Sequence, residues 1–417
     1  MRDSEATDRR AEGKAPGNLE DPMRLPACLA VLIVLASAAC ATAPREPVVF
    51  TRPDGRPVTE AALDAEVRRL MTGARVPGLA LGLIEDGRVR YLRTWGVREV
   101  GKPEPLGVDT VMYGASLTKG AFAYMCMQLV DEGLLDLDRP IAEYLPRPLP
   151  EYENWADLKA DPRWRLWTPR MLLSHTSGMP NFRWLNPDEK LDIKFQPGAR
   201  YAYSGEGFNL MQFVLEEGLG LDVGAEMQRR VFTRFGMTRT SMTWREDFAA
   251  NMASGHDDGG KSVGHNARRN VRAAGSMDTT PEDFARFLAG LQRDDGLSPR
   301  ARAELFGRQI AITSPHQFPT TDPADTDAYR AIDLSYGLGW GRWTSPWGLA
   351  WFKEGNGSGA TNYVVCLEEA RRCVMILTNS ANGQGIFLYL ANLVLGDTSM
   401  PWRWNGYTPY DRRAGGN

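Results

Sequence analysis

Ser116 and Lys119 stand three residues apart, in Ser116-Leu117-Thr118-Lys119, at the head of an amphipathic run that reads as a helix. On a helix, positions i and i+3 share a face, so the amine comes within reach of the hydroxyl. A serine hydroxyl becomes a useful nucleophile when a neighbouring base takes its proton. A lysine serves as that base only where burial or a second cation lowers its pKa. A helix start beside Ser116 adds unpaired N–H groups and partial positive charge, which suit an anionic transition state. The chemistry these residues point to is acyl transfer through a covalent serine intermediate.

Two further pieces belong with this pair. Tyr203-Ser204-Gly205 follows Pro197-Gly198 and precedes an apolar, helix-like segment, and Lys353-Glu354-Gly355 lies on a strand-like run near the C-terminus. Each motif alone is commonplace, while the ordered set is specific. In this order and at these separations the chain resembles the penicillin-recognising serine hydrolases: class C β-lactamases, D-alanyl-D-alanine carboxypeptidases and peptidases, and β-lactamase-like esterases. The resemblance runs from about Val58 to Gly396. It implies Ser116, Lys119 and Tyr203 as catalytic residues, and Lys353, Gly355 and Asn356 as substrate-binding or oxyanion positions. Backbone N–H groups of Ser116 and Asn356 are the oxyanion donors it implies, with no metal or organic cofactor. Either Lys119 or Tyr203 is the initial base. A tyrosine titrates near ~10, so Tyr203 qualifies only if cations such as Lys119 and Lys353 depress that value.

Two positions depart from the family pattern. Gly205 stands where the second motif usually has Asn, which removes an amide that would hold the lysine and the acyl side chain. Glu354 stands where the third usually has Thr, a hydroxyl that helps hold a drug carboxylate in β-lactamases. A carboxylate there repels an anion. The expectation is therefore hydrolysis of an ester, or of a peptide-like amide, whose group facing Glu354 is neutral or cationic. The alternatives are a true class C-type β-lactamase or D-alanyl-D-alanine carboxypeptidase, and a non-catalytic envelope binding protein of the same fold.

The elements that must position these residues read as follows. Thr59 to Thr72 has helical spacing, Leu79 to Ile84 reads as a buried strand, Asp86-Gly87 as a hairpin turn and Val89 to Val97 as its partner. The Ser116 helix presents Phe122, Met125, Cys126, Leu129 and Val130 inward, with Gly133 as its stop. Thr280 caps an amphipathic helix over Pro281 to Gln292. Strands are expected over Ser335–Trp343, Leu349–Lys353, Asn362–Glu368 and Arg372–Asn379, and a last helix around Ile386–Leu395. The order makes an α+β fold. By the resemblance it is an antiparallel β-sheet flanked by helices on both faces, with a mostly helical inserted domain. The domain expectation is residues 50–133 and 270–400 as the α/β domain, 134–269 as the helical one and 401–417 as a tail bearing Trp402 and Trp404. That tail either packs on the body or marks an interface.

The chain has 417 residues, is 43% hydrophobic and has a net charge of −3. This is length enough for a full core and no basic footprint for nucleic acid. Residues 1–40 read as a polar extension plus a signal peptide: Met23-Arg24, an apolar run from Ala27 to Ala36, then small residues up to Cys40. Cys40 is lipidated, tethering the protein to a membrane, or the leader is simply cleaved, or it stays as an uncleaved anchor; all three place the body outside the cytoplasm, in the periplasm or cell envelope. Cys28 leaves with the leader and Cys126 reads as a buried thiol. Cys366 and Cys373 face each other across a folded hairpin, and export makes a disulfide between them the expectation. The partner is a small-molecule or peptide-like substrate, and the oligomeric state is left open.

Rival motifs fail on physical grounds. Gly255 to Ser262 matches the phosphate-loop pattern, yet no hydrophobic strand precedes it and two aspartates would repel the anion, so a hairpin tip is expected. The four histidines form no helical His-x-x-x-His pair, and His175 reads as a hydrogen-bonded structural residue. No Gly-x-Ser-x-Gly elbow occurs.

Overall fold

The computed structural model describes residues 47–412. The expectations for Met23, Cys28, Ala27–Ala36 and Cys40 lie outside the described residues. An eight-stranded antiparallel sheet organises the body, in the order Arg88–Gly96, Gly78–Glu85, Arg372–Thr378, Ala360–Leu367, Gly348–Gly357, Gly341–Ser345, Ser335–Tyr336, Ile310–Ala311. Its central strands are buried on both faces, which is why they read as continuous apolar runs rather than alternating ones. Ile84, Val364 and Met375 join one core with Phe122 and Phe284. Leu83, Val365 and Ile376 join the other with Leu63, Val67 and Leu390. The helices Leu117–Asp131 and Pro281–Gln292 therefore cover one face, and Glu60–Ala74 and Phe387–Leu395 the other.

Local signals fix the helix starts. Ala62 N–H donates to Thr59 Oγ1, and Asp283 N–H donates to Thr280 Oγ1 at 3.1 Å, so both helices are side-chain capped. The Ser116 helix differs from its amphipathic expectation, because every residue from Leu117 to Leu129 is buried. Sheet residues and the short helices of the 134–269 stretch enclose it together, and a helix wrapped on all sides needs no polar face. That stretch is built of short 3₁₀ and π turns and three helices, Pro169–Leu173, Gly205–Phe213 and Val223–Met227.

Two strands also differ. Ser335–Trp343 is not continuous: Ser335–Tyr336 and Gly341–Ser345 are separate strands joined by a turn. Gly339 in that turn has φ +78° and lies where a Cβ would meet the Ala123 side chain at 2.6 Å, so the turn bends onto the Ser116 helix. The lysine strand continues past Lys353 as Gly348–Gly357, pairing Asn356 with Thr361 and Gly357 with Ala360. Between the next two strands, Ala360–Leu367 and Arg372–Thr378, Cys366 stands opposite Cys373 with Cα atoms 4.0 Å apart, and the two form a disulfide.

Trp402 and Trp404 pack into the body. Trp402 lies 5.0 Å from the Tyr363 ring and Trp404 5.8 Å from Tyr201. Among the described residues no helix is long and apolar enough to cross a membrane.

Candidate active site

Ser116 sits at the N-terminus of its helix because Ala115 turns the chain with a left-handed φ of +47°. A non-glycine residue there costs roughly 1–2 kcal/mol, so the surroundings must hold it. They do so with Thr118 Oγ1 donating to the Ala115 carbonyl at 2.5 Å, and with Asn362 Nδ2 donating to Tyr113 O at 2.9 Å. Met277 N–H completes the clamp by donating to Thr118 Oγ1 at 3.1 Å. Gly355 lets the lysine strand approach this turn, since a Cβ there would meet Gly114 O at 2.6 Å and Leu117 N at 3.1 Å.

Lys119 Nζ lies 3.0 Å from Ser116 Oγ and donates to the Ala274 carbonyl at 2.5 Å. It is fully buried. Burial, and then the charge of Lys353, hold its pKa well below the ordinary lysine value, against a smaller opposing pull from Glu354. A neutral amine with one hydrogen spent on Ala274 keeps its lone pair for the Ser116 proton.

Tyr203 precedes the helix Gly205–Phe213 on an extended segment that His175 secures. Ser204 N–H donates to His175 Nδ1 at 3.0 Å, and the His175 ring lies 4.2 Å from the Tyr203 ring. Burial, then Lys119 and Lys353, push the His175 pKa down, which keeps the imidazole neutral and fits the structural role expected of it. The Nζ atoms of Lys119 and Lys353 each lie 5.0 Å from the Tyr203 ring centroid, and Lys353 Nζ is 3.5 Å from its hydroxyl. Ser116, Lys119, Tyr203 and Lys353 thus meet in one place.

Glu354 changes the electrostatics of that meeting point. It was expected to face substrate, but its side chain is turned inward and buried, 2.9 Å from Lys353 Nζ, where Gln317 Nε2 also donates to it at 3.1 Å. Both are long side chains, so adjacent strand positions reach one another although their Cβ atoms point to opposite faces. Burial raises the Tyr203 pKa well above its usual value, and the Glu354 charge adds to this while the Ser116 hydroxyl works against it. Lys353 is lowered by burial and restored in part by Glu354. The pattern pushes the Tyr203 pKa up and the Lys119 pKa down.

Several site residues carried no motif. Gln317 is held by Asn405 Nδ2 at 3.0 Å, and Tyr407 Oη accepts from Asn356 Nδ2 at 2.8 Å, so residues beyond Met400 buttress the lysine strand. Asn356 itself is exposed at the mouth of a cleft of about 480 Å³ that opens onto Ser116. Phe182 and Trp184 line that cleft as a stacked pair, 4.3 Å between centroids. The Phe182 ring occupies the space a side chain on Gly205 would need, at 2.4 Å from such a Cβ. Gly255–His256 and Ser262–Gly264 pair as a hairpin, the form expected of the rejected phosphate-loop pattern.

Sheet order and the buried Ser116–Lys119 contact together define the class, a serine hydrolase of β-lactamase/transpeptidase-like fold. The chain belongs to the Beta-lactamase family, whose model matches residues 63–395. Lovastatin esterase of Penicillium rubens is 26% identical over 331 residues, covering 64% of this chain and 82% of that protein. D-alanyl-D-alanine-carboxypeptidase/endopeptidase AmpH of Escherichia coli K12 is 24% identical over 312 residues, covering 68% and 75%. Among solved structures, D-alanine carboxypeptidase AmpC of Burkholderia cenocepacia superposes with a TM-score of 0.64 at 20% identity, covering 80% of this chain and 97% of that one.

Proposed function

We propose that the protein hydrolyses ester or peptide-like amide substrates through an acyl-enzyme on Ser116. Lys119 Nζ takes the Ser116 proton as Oγ bonds to the substrate carbonyl carbon, and the carbonyl π electrons move to oxygen. The N–H groups of Ser116 and Asn356 face that oxyanion; among the described residues the Ser116 N–H has no other partner. When the tetrahedral adduct collapses, the bond to the leaving group breaks and the proton returns to it from Lys119, with the Tyr203 phenol as relay. Water then attacks the acyl group, giving its proton up the same way and releasing Ser116. The observation that carries this reading is the 3.0 Å approach of a fully buried lysine amine to the serine hydroxyl, beside a second lysine.

Two features favour esters over β-lactams. The amide of the family's second motif is absent at Gly205 and replaced in space by Phe182, and Glu354 supplies no hydroxyl for a drug carboxylate. A fluorophosphonate probe followed by intact-protein mass tests the activity. Labelling that disappears in Ser116→Ala is expected, whereas an unlabelled native protein would favour a binding role. The body functions outside the cytoplasm, exported by the segment ending at Cys40; the Cys366–Cys373 disulfide supports an oxidising compartment. Membrane fractionation and the mass of the mature N-terminus distinguish a lipidated Cys40 from a cleaved leader.

A further inference from the structure

The open cleft in front of Ser116 is lined by three arginines, Arg268, Arg269 and Arg272, and by no Asp or Glu among the described residues. The three are not equivalent. Arg268 is mostly buried, stacks 3.4 Å over the Tyr113 ring and pairs with buried Asp278 at 3.3 Å, so its charge is already met. Arg269 and Arg272 are exposed, and neither forms an ion pair with a described residue.

The backbone at Arg272 is fixed even though its head is free. Arg272 N–H donates to Ser276 Oγ at 3.0 Å, and Gly275 and Ser276 N–H groups donate to the Arg272 carbonyl. Ala273 N–H donates to Gln212 Oε1 at 2.8 Å, and Gln212 Nε2 to Val271 O at 3.2 Å. The same segment carries the Ala274 carbonyl that holds Lys119, so Arg272 is tied to the reacting centre through its own backbone. Within the cleft the polar amide of the family's second motif gives way to the stacked Phe182–Trp184 pair, with Trp184 52% exposed. An exposed aromatic face beside two unpaired guanidinium groups offers apolar contact and anion recognition together.

We propose that the substrate is an anionic ester or amide, whose apolar stem lies against Phe182 and Trp184 and whose carboxylate is met by Arg269 and Arg272. This names the substrate class for the hydrolase activity proposed above and rests on it. It also reverses the sequence expectation of a neutral or cationic group, which assumed that Glu354 faces the cleft; the Glu354 carboxylate is buried against Lys353 instead.

The test compares kcat/KM for matched ester pairs at low ionic strength. One pair places the charge on the acyl side, para-nitrophenyl hemiglutarate against para-nitrophenyl valerate. The other places it on the alcohol side, para-acetoxybenzoate against its methyl ester. We expect the anionic-to-neutral ratio of one pair to fall by about fivefold or more in Arg269→Ala/Arg272→Ala, as two partly solvated charge contacts allow. It should persist in Arg269→Lys/Arg272→Lys and shrink as salt is raised. Ratios unchanged by the alanine pair in both series overturn the inference while leaving the hydrolase reading intact. Absence of turnover of every ester, with no mass gain on Ser116, overturns both.

Discussion

Replacing Glu354 with Gln isolates one charge at the centre of the site. The amide keeps the size of the carboxylate and still accepts from Gln317 Nε2, so the change is electrostatic. Glu354 and Lys353 are both buried, with 2.9 Å between the charged atoms. At an effective dielectric of 20, Coulomb's law gives roughly 6 kcal/mol of gross attraction at that distance. Removing one partner of a buried pair typically costs about 3–5 kcal/mol, because the other is left charged in a poor solvent. The cost has a ceiling. Once it exceeds the roughly 5 kcal/mol needed to deprotonate an ordinary lysine at pH 7, Lys353 loses its proton instead. Urea unfolding of Glu354→Gln at pH 7 is therefore expected to show a loss of about 3–5 kcal/mol. That loss should shrink as pH rises toward 10, because the unfolded state then holds the extra proton and stability increases with pH. Lys353→Met/Glu354→Gln, which leaves no lone charge, should recover much of the loss. A single variant within about 1 kcal/mol of native, or a double variant no more stable than the single, would refute the buried-pair argument.

Other consequences are more direct. Lys119→Met should lower kcat by about 10²–10⁴, the usual share of a general base, measured on any ester the native protein turns over. The same variant has a second signature. Native Lys119 has a depressed pKa, so the folded state binds fewer protons than the unfolded one between that value and about 10.5, and stability rises with pH across the window; the variant's urea midpoints should rise less steeply. Gly355→Ala drives a Cβ against Gly114 O and Leu117 N, which are backbone atoms with little room to yield. It should cost about 1–3 kcal/mol by overpacking and about 10²–10³ in kcat if the Asn356 donor shifts, read by unfolding and steady-state kinetics. Cys366→Ser/Cys373→Ser should cost about 2–3 kcal/mol by the chain-entropy account of a short loop; a thermal melt unchanged by the double substitution would show that the bridge adds nothing.

Much of this architecture is legible in the chain because its signals are local. Thr59 and Thr280 announce helix starts, the run Leu79–Ile84 announces a strand buried on both faces, and Cys366 and Cys373 flank a tight turn. The candidate site motifs are likewise short and ordered, so Ser116, Lys119, Tyr203 and Lys353 are nameable from the sequence, and the structure brings them together. What escaped depends on contacts between distant segments. Ser335–Trp343 reads as one strand, yet the turn at Gly339 follows the Ser116 helix, more than two hundred positions away in the chain. The direction of the Glu354 side chain is set by Gln317, which is set in turn by Asn405, and no spacing rule links those three. Arg268-Arg269 and Arg272 form a visible cluster, but nothing in their spacing says that one is neutralised by Asp278 and two are not.

The proposed chemistry requires Lys119 to be an amine rather than an ammonium when Ser116 attacks. Single-turnover acylation of Ser116 by an activated ester, followed by intact-protein mass across pH, measures this directly. An acid limb is expected well below the ordinary lysine value of about 10.5, abolished together with acylation in Ser116→Ala and absent from the residual rate of Lys119→Met. A limb at the ordinary lysine value, or acylation on a residue other than Ser116, would contradict it.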